Sequence, residues 1–233
     1  MKFIKTVLAL LISLPLFSQE SFPNNGVKST FLPIYAFTNA HLIISSGKEI
    51  PNGTLLIQGD KILAADSVLV IPEGSIIIDL KGDYIYPSFI DLYSNYGLAT
   101  PKKGEYSYRP QYESNKEGAY HWNEAIHPEI DAADRFQYNN KEATNYINSG
   151  FGVVLTHQQN GIARGTACLV SLSNEMEQKS ILSAEIASCF SFRKGVSRQK
   201  YPTSLMGSIA LLKQLFLDSY WYQNSGKTTN LSF

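Results

Sequence analysis

From Tyr35 to Asp91 the chain breaks into short apolar runs: YAFTNAHLII, GTLLIQ, KILAAD, SIIIDL and DYIYPSFID. Between them stand turn residues, among them Ser46-Gly47, Asn52-Gly53, Gly59-Asp60, Pro72-Glu73-Gly74 and Gly82-Asp83. Such alternation is the pattern of strands joined by tight turns. It predicts a small β-sandwich or meander over residues 34–83, with Gln58-Gly59-Asp60-Lys61 as a hairpin tip.

After Asp91 the texture changes. Residues 96–120 are rich in Gly, Lys, Glu, Tyr and Ser and poor in aliphatics, which predicts a long surface loop. Asn140–Asn148 has a helical composition, closed by Gly150. FGVVLTH, residues 151–157, carries the β-branched residues of a buried strand, and a second strand over Thr166–Leu172 follows a turn at Asn160-Gly161. The clearest helix comes near the end. Ser204 follows Pro202 as a candidate N-cap, and Leu205, Ile209, Leu212, Leu215 and Phe216 recur at helical spacing to about Tyr220.

The N-terminal residues read as a targeting segment. Lys2 and Lys5 precede an apolar run, Val7 to Phe17, that is short for a bilayer span, and the small Ser18 suits cleavage. Residues 1–18 are therefore expected to be a signal peptide and 19–33 a polar linker. The mature chain is expected to be exported, periplasmic or secreted, with no stable membrane insertion after the signal is removed. Export makes a bridge between Cys168 and Cys189 permissible, although both lie in apolar surroundings, TACLV and IASCF. Twenty basic and twenty acidic side chains cancel to a net charge of zero, which gives no electrostatic argument for a nucleic-acid partner.

Several segments together resemble the amidohydrolase superfamily, nearest to its imidazolonepropionase-like branch of exported bacterial members. IPEGSIIIDLKGDYIYPSFID, residues 71–91, is similar to that family's passage from a β-sandwich into the first strand of a (β/α)8 barrel. SGFGVVLTHQQNGIARGTACLVSL, residues 149–172, and YPTSLMGSIALLKQLFLDSYWY, residues 201–222, resemble later ordered segments of the same family. The resemblance implies an α/β fold with an N-terminal β-sandwich over residues 34–83 and a partial (β/α)8 TIM-type barrel over 84–233. It also implies ancestry among hydrolases of carbon–nitrogen bonds other than peptide bonds. There a hydroxide activated by a divalent metal, zinc or similar, attacks the carbonyl while an aspartate handles the proton.

The family's first barrel strand usually ends in Asp-x-His-x-His. Side chains two apart on a strand share a face, so both imidazoles reach one metal. In YPSFIDLYSN, Asp91 is kept, but Tyr93 and Asn95 stand in the two histidine places and Ser88 replaces a glycine. A neutral phenol and a carboxamide are weak ligands for such an ion. No metal or other cofactor is expected in this chain.

The remaining histidines offer little replacement. His41 lies in the expected sandwich, and His121 and His127 are six apart, on different faces of any helix. His157 ends the FGVVLTH strand, where a barrel would present it at its mouth, and is the candidate site residue. Glu124, Glu129 and Asp131 show no spacing of a catalytic pair. The Gln159–Thr166 turn lacks a phosphate-loop signature and reads as a hairpin connection. The aromatics of residues 104–122 either form a binding face or staple the loop to the rim.

Too few residues follow Asp91 for a barrel of about 250 residues. The expected reading is an amidohydrolase-related chain, a truncated product or the N-terminal portion of a longer protein, inactive by itself. Two alternatives stand beside it. One is a non-catalytic domain supporting a C-terminal amidohydrolase domain or a second chain. The other is an exported module binding peptide or glycan through the aromatic rim, Trp122 included.

Overall fold

The first strand organises the described residues up to Pro87. In the computed structural model, which describes residues 32–104, 108–173 and 177–225, the chain divides into two units between Pro87 and Ser88. The expected signal peptide, most of the linker and the polar C-terminus lie outside the described residues.

In the first unit β1 (Ile34–Ser45), β2 (Lys48–Gln58) and β3 (Lys61–Asp66) form an antiparallel meander. Gln58 pairs with Lys61, so Gly59-Asp60 is the hairpin tip that the turn chemistry predicts. The 12 residues of β1 leave room for two short parallel neighbours along its other edge. β4 (Ile76–Asp79) pairs with Tyr35–Thr38, and β5 (Tyr84–Ile85) with His41–Leu42. Thus the last two runs fill one edge of a single five-stranded sheet instead of founding a second layer. A meander with parallel additions replaces the expected sandwich among the described residues. Ala40, Leu42 and Leu55 are its buried centre. Ile62 and Ile77, on β3 and β4, remain exposed.

The second unit holds a four-stranded sheet in the order β6 (Phe89–Ser94), β7 (Phe151–Thr156), β8 (Ala163–Ser171), β9 (Ile181–Phe190). β6 and β7 are parallel, joined by a long crossover that carries α1 (Ala132–Arg135) and α2 (Asn140–Asn148). The other pairings are antiparallel. One parallel step followed by two hairpin-type steps yields an open sheet, and no closed barrel forms among the described residues. A short α3 (Glu177–Ser180) precedes β9, and α4 (Leu205–Asn224) closes the described chain.

Tyr96, Phe136, Val154, Cys168, Val170 and Leu172 form the main core beneath this sheet. Tyr96 is fully buried, its hydroxyl donating to Asn139 O at 3.3 Å, and burial pushes its pKa up to about 12. The cap expected at Ser204 forms, and the structure adds one at Asn139. Ser204 Oγ accepts from Gly207 N at 3.1 Å, and Asn139 Oδ1 from Glu142 N at 3.2 Å. Along α4, Leu211 is buried against Ala125, Ile126, Ile162 and Ala163, while Met206, Leu217, Tyr220 and Trp221 face outward. Among the described residues no helix is long and apolar enough to cross a membrane.

Both cysteines are free. Ala167 pairs with Ala187 and Thr166 with Ser188, so Cys189 sits about three residues along the ladder from the point opposite Cys168. At about 3.3 Å per residue that is beyond the reach of a disulfide. Burial raises both thiol pKa values, that of Cys168 to about 11.

Candidate functional site

Hydrogen bonds lock the ends of β6 and β7 together. His157 N donates to Ser94 O at 3.0 Å, Thr156 Oγ1 to Tyr96 O at 2.7 Å, and Ser94 Oγ lies 3.0 Å from the Tyr146 hydroxyl. This fixes Tyr93 and His157 as neighbours on adjacent strand ends, with ring centroids 5.0 Å apart and an edge-to-face geometry.

A third side chain enters from β8. Arg164 Nη1 donates to the Tyr93 hydroxyl at 3.1 Å and lies 3.5 Å from His157 Nε2, while Nε donates to Gly161 O at 3.1 Å. The guanidinium is aimed by the loop around it. Gly161 has φ +88° and Gly165 φ +80°. A Cβ on Gly161 would stand 2.6 Å from Ala125 O, and one on Gly165 would meet Ile130 O, so only glycine lets this loop approach residues 125–130. Arg164 is 5% exposed, and no carboxylate among the described residues is within ion-pair distance of it. Its charge is held by three neutral acceptors.

That charge governs His157. Burial lowers the imidazole pKa, and Arg164 lowers it further, so the ring is neutral. Since Nε2 accepts from the guanidinium, the proton is assigned to Nδ1, which is buried without a partner. Asp91 and Asn95, the other positions singled out by the resemblance, make local hydrogen bonds. Asp91 Oδ1 accepts from Tyr93 N at 2.9 Å, and Asn95 has left the strand, its carbonyl accepting from Leu98 N at 3.1 Å.

These residues do not fit a divalent metal. The phenol oxygen and the imidazole nitrogen that would face the ion already face a cation. At about 4 Å and an effective dielectric near 20, each unit of like charge costs about 4 kcal/mol. No three His, Cys, Asp or Glu side chains gather elsewhere among the described residues.

The remaining sequence candidates have structural employment. His41 stacks on Tyr84 at 4.5 Å and pairs with Glu49 Oε2 at 3.2 Å. His121 Nδ1 accepts from Asn123 N at 3.0 Å, Glu124 Oε1 accepts from Ser114 and Gln111, and Asp131 caps α1. Trp122 stacks on Tyr201, yet the staple of the aromatic loop is an amide. Buried Gln199 donates to Tyr112 O and Trp122 O at 3.1 and 2.9 Å and accepts from Glu124 N at 2.6 Å.

Sequence reasoning passes over one constellation. His127 is buried in an irregular segment, where helical spacing has no bearing. Its Nδ1 lies 3.2 Å from Glu129 Oε1, and its Nε2 3.4 Å from Asn160 Nδ2. Asn160 Oδ1 accepts from Val196 N at 2.8 Å, which orients the amide NH2 toward the ring. The imidazole thus donates from Nδ1 to the carboxylate and presents Nε2 as an acceptor. The only sequence signal was a His and a Glu two apart, ahead of an Asn-Gly turn.

The architecture has a counterpart among solved structures. It superposes on an amidohydrolase from Thermotoga maritima MSB8 with a TM-score of 0.59 at 19% identity, over 85% of this chain and 52% of that one. The fold is amidohydrolase-like. The chain spans about half the length of that solved relative. Two smaller overlaps, with a prolidase complexed with N-methylphosphonate-L-proline and with another amidohydrolase, have TM-scores of 0.30 and 0.29 at 18% identity and cover 52% of this chain and 25% and 24% of theirs. No family model and no curated protein matches the sequence. Within the amidohydrolase-like fold, Tyr93, His157 and Arg164 cluster at the ends of adjacent strands, and Asn95 makes no hydrogen bond to them.

Proposed function

We propose that this chain is a non-catalytic amidohydrolase-like domain, exported from the cell and related by ancestry to metal-dependent hydrolases of carbon–nitrogen bonds. The single observation that carries the reading is Arg164, whose guanidinium lies against Tyr93 and His157 where a family member would hold its ion. A fixed buried cation neither ionises water nor exchanges ligands, so no hydroxide is generated at neutral pH. Tyr93 and Asn95 are then residues released from metal binding, and His157 serves as an acceptor for the guanidinium.

In this reading the domain supports further polypeptide, either a C-terminal amidohydrolase domain or a second chain. Two observations favour that partner. The amidohydrolase-like fold spans about half of its solved relative. The edge strand β6 leaves Phe89 66%, Ile90 55% and Leu92 69% exposed, an apolar edge that invites a further strand. The aromatic-rim alternative has less support, because Trp122 is already stacked on Tyr201.

The test is an amide-hydrolysis assay on purified chain supplied in turn with zinc, manganese and iron. The expected result is no turnover above that of the free ions. Metal-dependent, saturable turnover that disappears in His157→Ala would overturn the reading.

A further inference from the structure

A cavity of about 460 Å³ opens beside the His127 pair, within the size range of small-molecule sites. Three side chains that line it are buried to better than nine-tenths: His127, Gln158 and Asn160. All three are fixed. Gln158 Nε2 donates to Ala99 O at 3.2 Å, and Asn160 and Glu129 hold the two ring nitrogens of His127. A second cavity of about 300 Å³ shares His127, Asn160 and Lys116, so the imidazole forms a wall of both. Buried polar groups held this firmly around an open space form a pre-organised wall.

The charges around the larger cavity are mixed. Glu129 gives one carboxylate oxygen to His127, and its other oxygen has no hydrogen bond among the described residues. Glu117 lines the same space. Two cations line it as well: Arg135, the last residue of α1, and Lys116, whose ammonium lies 5.6 Å from the Tyr120 ring centroid. Arg135 makes no ion pair among the described residues. Tyr120 and Ile130 add an apolar wall. A cavity with an acid for an ammonium, a guanidinium for a carboxylate and an apolar wall is complementary to one small zwitterion.

We propose that this cavity binds a free α-amino acid. Its ammonium is received by Glu129, its carboxylate by Arg135 with Lys116, and its aliphatic side chain by Tyr120 and Ile130. His127 is a positioning residue. It holds Glu129 by one oxygen and is itself held by Asn160, so the carboxylate keeps its direction when the site is empty of ligand. The proposal does not depend on the absence of metal chemistry at Arg164, because the groups it uses are separate ones.

Calorimetric titration of the full chain with L-leucine, N-acetyl-L-leucine and L-leucinamide tests it. The acetyl compound lacks the ammonium and the amide lacks the carboxylate. Saturable binding of L-leucine is expected, with each blocked analogue weaker by about tenfold or more, the effect of losing one charge-assisted contact. Glu129→Gln should weaken L-leucine by a similar factor. So should Arg135→Gln, which alters an exposed side chain and leaves the folded core intact. No saturable heat with L-leucine at millimolar concentration would overturn the proposal. Equal binding of the acetyl compound and the free amino acid would overturn it too, as the mark of a simple anion site. Unchanged affinity in both variants would do the same.

Discussion

Two buried histidines on neighbouring loops have opposite surroundings. His157 faces the guanidinium of Arg164 through Nε2, and its Nδ1 is buried without a partner. His127 has a carboxylate on one nitrogen and an oriented amide on the other, beside an open cavity. His157 occupies the strand end where the family resemblance would look for chemistry, yet it is closed off by a fixed cation. His127 lies in an irregular segment that no motif marks, yet its ring is oriented and next to ligand-sized space. The comparison teaches that a strand end singled out by resemblance can be filled by one neighbouring side chain, while an unmarked loop can build a pocket.

Breaking the first arrangement should have the largest effect. Arg164→Ala removes a buried side chain, leaves His157 Nε2 without its donor and Gly161 O with Ser191 Oγ alone, and is expected to cost about 2–4 kcal/mol in urea unfolding. Arg164→Met, which keeps the apolar bulk and removes an uncompensated charge, should fall well nearer to the natural protein. Equal damage from both would mean that the hydrogen bonds, and not the packing, hold this loop.

The second arrangement should respond next. Asn160→Ala takes the acceptor from Val196 N and the donor from His127, with an expected loss of about 1–3 kcal/mol. A loss no larger than that of an exposed polar site would show that water replaces the amide and that the pair is not rigid.

A pH series probes the surroundings of His157. Because the folded pKa of His157 lies below the ordinary 6.5, the unfolded chain takes up its proton first as pH falls. The contribution is therefore complete above about pH 6.5 and is lost progressively between there and the lower folded pKa. The melting temperature of His157→Gln should decline less over that interval than that of the unsubstituted chain. Parallel curves would contradict the buried, cation-facing environment. The smallest effect is expected of Tyr93→Phe, under about 1 kcal/mol, since the phenol is largely exposed and water can take its place beside Arg164.

How much of this was legible depends on the range of each interaction. The meander of β1–β3, its hairpin at Gly59-Asp60, the Asn140–Asn148 helix and the Ser204 cap were readable because turn and cap chemistry is local. The parallel docking of β4 and β5 onto β1 was not, because a crossover of the chain leaves no mark in a short strand's own residues. Tyr93 and Asn95 drew notice only through the family resemblance. Arg164 could not be assigned to them, because contact across 71 residues depends on β7–β8 pairing and on Gly161 and Gly165. His127 was hidden for the same reason, since its partner Asn160 is 33 residues away.

Zinc titration of three proteins tests the central claim: the unsubstituted chain, Tyr93→His/Asn95→His, and the same pair combined with Arg164→Met. If the guanidinium holds the ion's place, restoring both imidazoles should confer no saturable zinc binding while Arg164 remains. The triple variant, with His157 freed as a third ligand, should bind one equivalent. Zinc bound equally well by the double and triple variants would contradict the account.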